Sequence, residues 1–142
     1  MKRVIGCAIL TLWVSSAGGV FAAGFKSYPG AKLDESASAT ASKVQSGTQV
    51  EVYITKDGFE KVSAFYKGLC KEYAMPAKPP KLESGQIVQW GFFIVDGGKD
   101  LTSSRHWFKV QRPYVGSTKM AGGKAVFADV RDVTVIEVVR RR

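Results

Sequence analysis

Between Ile87 and Asp96 the chain reads Ile-Val-Gln-Trp-Gly-Phe-Phe-Ile-Val-Asp. Successive side chains of a strand point to opposite faces. Here Val88, Trp90, Phe92 and Ile94 fall on one face, and Gln89, Gly91, Phe93 and Val95 on the other. Both faces are mostly apolar, so a strand made of these residues needs cover on two sides. Any fold for this chain must therefore bury a sheet between layers, and this strand is expected near its centre.

The neighbouring segments supply the rest of such a sheet. Asp96-Gly97-Gly98-Lys99-Asp100 is a turn signal. From Arg105 to Arg112 the pattern alternates again, with His106, Phe108 and Val110 against Trp107, Lys109 and Gln111, which predicts an antiparallel hairpin ended by Pro113. Thr48 to Thr55 alternates too: Val50, Val52 and Ile54 oppose Gln49, Glu51 and Tyr53, the mark of a half-buried strand. Ala125 to Val139 is β-rich, with Arg131-Asp132 as a bulge or break. Val115 to Lys124, with Gly116, Gly122 and Gly123, reads as a loop.

One segment has a helical period. Phe59, Val62, Tyr66, Leu69, Cys70 and Tyr73 recur on one side, with Phe65 on its shoulder, while Lys61, Lys67, Lys71 and Glu72 face away. Asp57 as N-cap and Glu60 as its reciprocal partner would start this helix as a capping box, and Pro76 would stop it. Pro76 to Gly85 reads as a stiff, extended, basic loop. Residues 23–47 are poorly periodic, and the Ser/Ala/Thr-rich stretch Ala37 to Ser42 reads as an exposed or edge segment. The expected fold is α+β: one main amphipathic helix packed on a mostly antiparallel sheet of about four or five strands, in the order β-α-β-β-β.

The first residues are expected to form no part of that domain. Met1-Lys2-Arg3, an apolar run from Val4 to Val14, and small residues leading to Val20-Phe21-Ala22 match a secretory signal peptide over residues 1–22. Ser15, Ser16, Gly18 and Gly19 dilute the run where an uncleaved anchor would continue. Val4-Ile5-Gly6-Cys7 resembles a lipobox, but too little apolar sequence precedes the cysteine. The division is then a signal peptide, an irregular segment at 23–47 and a single α+β domain at 48–142. The expected location is the periplasm, or the medium if the protein is secreted, with no transmembrane helix in the mature chain.

Export changes what the charge and the cysteines can mean. The whole chain carries a net charge of +9; without Lys2 and Arg3, 19 basic residues stand against 12 acidic ones, leaving +7. A basic protein outside the cytoplasm meets an anionic membrane surface or an envelope polymer rather than nucleic acid. Loss of Cys7 leaves Cys70 alone, so no intramolecular disulfide can form and the domain must rest on its core.

Tyr28-Pro29-Gly30-Ala31, and Thr55-Lys56-Asp57-Gly58-Phe59 running on to Phe65-Tyr66, resemble a group of small exported bacterial α+β proteins. In that group a Tyr-Pro-Gly-Ala opening precedes a strand, and a Thr-x-Asp cap starts a helix ending in Phe-Tyr. The resemblance covers the first half of the mature chain. It implies an exported α+β domain and brings no catalytic residue with it.

Residues that could carry chemistry are few. His106 is the single histidine, so no zinc set is expected. Asp96 and Asp100 around a glycine pair are ordinary turn residues rather than a calcium loop. Cys70 lies on the apolar helix face as a small buried hydrophobe. Neither a nucleophile elbow nor a phosphate loop is present. The expected ligand-binding set is Trp107, Lys109, Arg112 and Tyr114, with Tyr28, because cationic and aromatic groups together grip an anion or a sugar. Trp107, Lys109 and Gln111 share one strand face. The expectation is an exported envelope protein, a non-enzymatic binding or accessory domain with a basic surface and no cofactor or metal; the alternative is a small periplasmic hydrolase using His106.

Overall fold

A computed structural model describes residues 24–142; the expected signal peptide at 1–22 lies outside them. The elements are β1 (Lys32–Leu33), α1 (Glu35–Val44), β2 (Thr48–Thr55), α2 (Phe59–Lys67), β3 (Lys71–Tyr73), β4 (Gln89–Ile94), β5 (His106–Arg112), β6 (Tyr114–Ala121), β7 (Lys124–Arg131) and β8 (Thr134–Arg141). Six strands form one antiparallel sheet in the order β1-β2-β8-β5-β4-β3, and β6 and β7 form a separate hairpin. The α+β class and antiparallel pairing are as expected. Among the described residues the strand count is eight, not four or five, and there are two short helices rather than one main one.

The extra elements lie where the hydrophobic pattern is weakest. Residues 23–47 were expected to be irregular, yet they contain β1 and α1. Asp34 starts α1 by accepting from Ala37 N at 2.9 Å, and alanines sustain it. Ala37 and Ala41, one turn apart, pack on the sheet against a cluster of Val50, Val52, Val135 and Val139. Small residues give little hydrophobic contrast, which is why this helix has a faint sequence signature. The expected loop at Val115 to Lys124 is largely β6. Gly122 (φ 57°) and Gly123 (φ 75°) supply the two left-handed residues that a tight two-residue hairpin turn needs.

The expected long helix is shorter. Gly58, not Asp57, is the N-cap of α2. The Asp57 carboxylate instead accepts from the Tyr28 hydroxyl at 2.6 Å and pairs with Lys61 at 3.0 Å. The helix ends at Lys67, and Lys71–Tyr73 pairs with β4 as an edge strand. Ladder bonds to β4 there outweigh helical periodicity, and Leu69 is left exposed.

Each sheet face has its own cover. On one lies α2, over an aromatic core of Phe25, Tyr53, Tyr66, Phe93 and Phe108, with Phe93 and Phe108 stacked at 5.0 Å. On the other lies α1, over the valine cluster. Phe92, Phe93 and Ile94 of β4 are all buried, so both faces of that strand are covered. The middle of the sheet belongs to β8 and β5, however; β4 is second from one edge.

Candidate functional site

The cross-strand register decides which side chains of β5 can act together. Lys109 opposes Glu137 of β8, and Glu137 opposes Val52 of β2, all on the α1 side of the sheet. These three residues, with Gln111 and Val135, floor a cleft of about 210 Å³ between α1 and the start of β6. Thr40 and Ala41 form one wall; Tyr114 and Val115 form the other. Lys109 Nζ lies 3.0 Å from Glu137 Oε2, and their side chains are 22% and 21% exposed.

The cleft continues in two directions. A second depression of about 220 Å³ shares Lys109, Gln111 and Val115 and adds Trp90, Val88 and Phe127. A third, more open region shares Thr40 and Tyr114 and adds Asp34, Asp129 and Arg131. There the Arg131 guanidinium lies 4.1 Å over the Tyr114 ring and pairs with Asp34 at 3.7 Å and Asp129 at 3.5 Å. The result is a trough with aromatic side chains toward both ends and the Lys109–Glu137 pair between them.

The five residues expected to form a ligand site divide between the two faces. Lys109 and Tyr114 line the trough. Trp107 shares their face but packs against the valine cluster, with its indole N–H buried and unpartnered. Arg112 and Tyr28 meet on the α2 side around Asp57. Arg112 Nη1 donates to the carbonyls of Lys56 and Asp57 and to Thr134 Oγ1, at 3.4, 3.2 and 3.2 Å, and Nη2 pairs with Asp132 at 2.9 Å. Its donors are spent on holding two chain segments together. The Tyr28 hydroxyl, partly buried and bound to Asp57, has its pKa raised first by that hydrogen bond and then by desolvation. Glu137, Thr40, Trp90 and Arg131 complete the trough. The pairing of Glu137 with Lys109 depends on β8 inserting beside β5, which no local pattern reveals.

Because Glu137 offsets the charge of Lys109, the trough floor presents a donor beside an acceptor rather than a bare cation. Such a pair meets hydroxyl or amide groups, and the flanking Tyr114 and Trp90 offer rings to an apolar or sugar face.

His106 sits elsewhere, on the α2 side opposite Arg140 of β8. Burial, and then the Arg140 charge, lower its pKa, while Asp96 and Glu51 act in the opposite sense. Its Nε2 is buried without a hydrogen-bond partner. Asp96, the aspartate that a hydrolase would pair with it, bonds instead to the turn. It accepts from Ser104 Oγ at 2.5 Å, and from the backbone N–H of Arg105 at 2.7 Å and of His106 at 3.2 Å. These bonds, the one from Ser104 foremost, lower its pKa to about 2. Cys70 is half-buried against the aromatic core, and burial raises its thiol pKa. Among the described residues no group of three or more His, Cys, Asp or Glu side chains is placed to hold a metal ion, and no helix is long and apolar enough to cross a membrane.

Comparison with protein-family models, curated proteins and solved structures finds no match to this chain.

Proposed function

We propose that this protein is an exported, non-enzymatic binding domain whose trough takes a carbohydrate segment of an envelope polymer. The observation that carries the reading is the Lys109–Glu137 pair, partly open at the trough floor between Tyr114 and Trp90. A sugar presents hydroxyls that both donate and accept, together with a C–H face that stacks on aromatic rings. The offset charge of Lys109 favours such a neutral ligand over a bare phosphate. The net positive charge of the chain adds long-range attraction to the anionic polymers and surfaces among which such a sugar lies.

The test is co-sedimentation of the protein with insoluble cell-wall polysaccharide, comparing wild type with Thr40→Trp and Tyr114→Ala. Thr40 is exposed on the trough wall, so an indole there blocks the cleft without entering the core. Loss of binding in both variants, with thermal stability retained, supports the reading. Wild-type affinity in Thr40→Trp would sink it.

A further inference from the structure

We infer that the tip of the β6–β7 hairpin is a docking element for an anionic lipid bilayer, separate from the trough and independent of what the trough binds. The hairpin pairs only with itself, and neither outer edge has a further strand among the described residues. Its base, from Tyr114 to Thr118 with Phe127, contributes to the trough. The tip, residues 119–126, lines no part of it. Among the described residues, three of the seven exposed large apolar side chains lie on this arm: Met120 (71% exposed) and Val126 (38%) at the tip, and Val130 (44%) near the base. Two strands alone are marginally stable in water, and an arm that displays apolar side chains outward is built to meet a second surface.

Charge identifies that surface. From Val115 to Ala128 the sequence contains Lys119 and Lys124 and no carboxylate. Lys119 lies directly opposite Val126, and Ala121 opposite Lys124, so both lysines share one face of the tip with Val126. Met120 and its partner Ala125 occupy the other face. Lysine stems can lie along an apolar surface while the ammonium reaches a lipid phosphate. The strand extends about 7 Å from Lys119 to Ala121, within the roughly 5–10 Å that interfacial elements penetrate. A symmetric pair of hairpins would instead bring lysine clusters together.

Sedimentation with lipid vesicles tests this, using the full chain in its exported form. Binding is expected to phosphatidylglycerol vesicles at low salt and to be much weaker to phosphatidylcholine vesicles. The double variant Lys119→Gln/Lys124→Gln should bind the anionic vesicles on the order of 30-fold more weakly, from about 1 kcal/mol per lysine. Met120→Ser/Val126→Ser should lose several-fold, whereas the control Lys71→Gln/Lys78→Gln should change little. Unchanged circular dichroism of each variant establishes that the fold is kept. Equal binding to both lipids, or an equal loss in the control pair, overturns the inference. So does a concentration-dependent dimer abolished by the Met120/Val126 variant, which would make the tip a self-association surface. Trough variants such as Tyr114→Ala should bind vesicles normally, so failure of either reading leaves the other standing.

Discussion

Ser42 Oγ donates to the Val50 carbonyl at 3.1 Å and accepts from the Val50 N–H at 2.9 Å. One turn earlier, Ser38 Oγ accepts from Val52 N at 2.8 Å, and Asp34 N donates to the Val52 carbonyl at 2.8 Å. Two helical hydroxyls four residues apart thus stand where a neighbouring strand would be. The outward-facing backbone groups of Val50 and Val52 are satisfied by the two serine hydroxyls of α1 and by the backbone N–H of its cap Asp34, which keeps this stretch of the edge from templating another chain.

Replacing Ser42 with Ala leaves a largely buried N–H and C=O without partners. The expected loss is about 1–3 kcal/mol, read as a lower denaturation midpoint with an unchanged slope. Ser42→Thr, which keeps the hydroxyl, should recover most of it. Faster amide exchange at Val50, with the centre of β8 unaffected, would locate the damage at the edge.

Arg112 should prove a stability residue rather than a ligand residue. Its guanidinium joins the Lys56–Asp57 turn to Asp132 and Thr134. Arg112→Ala is expected to lower stability by about 1.5–3 kcal/mol, the range for hydrogen bonds to charged groups. Polysaccharide binding should stay at the wild-type level while the protein is folded. Wild-type stability combined with lost binding would return Arg112 to the ligand site.

Acid sensitivity should trace in part to Asp96. Its pKa is lowered from an ordinary 3.8 to about 2, mainly by Ser104. A carboxylate lowered in this way stabilises the fold fully above its unfolded value, and that contribution disappears as pH falls through about 2. Asp57 and Asp100 are shifted in the same direction. Melting temperature should therefore fall between about pH 4 and pH 2. Ser104→Ala should flatten that slope; the same slope in both proteins would contradict the assignment.

At the trough floor, Lys109→Met strands Glu137 in a site only about one-fifth open to solvent. We expect a loss of about 1–3 kcal/mol, less than for a fully buried pair. The double variant Lys109→Met/Glu137→Met should regain much of that stability, since it removes the stranded charge, and should still fail to bind polysaccharide. A double-mutant cycle by chemical denaturation separates the two effects.

What could be read in advance follows the strength of side-chain contrast. β2 runs from Thr48 to Thr55, the same bounds its alternation implies, and the β4–β5 hairpin forms as its two alternating runs require. Those segments carry large apolar residues at period two, so burial alone defines them. α1 and β6 do not: Ser, Ala, Thr and Gly leave both faces similar, and their partners are backbone edges and remote side chains. Asp57 shows the limit of local rules. Its position suits a cap, but Tyr28, far away in sequence, claims the carboxylate. Likewise Lys109 and Tyr114 could be picked out as candidates, whereas Glu137 joins them only through the order of the sheet.

That order also sets a timetable. β2 and β5 each pair with β8 and not with one another. Within the folding domain, β4 and β5 can close as a hairpin, and α1 can settle along β2, each without β8. The inner edges of those two halves are joined only when residues 134–141 pair with both. The trough floor, shared among β2, β5 and β8, comes into being only at that moment. A ligand held there would report on the completed sheet and nothing earlier.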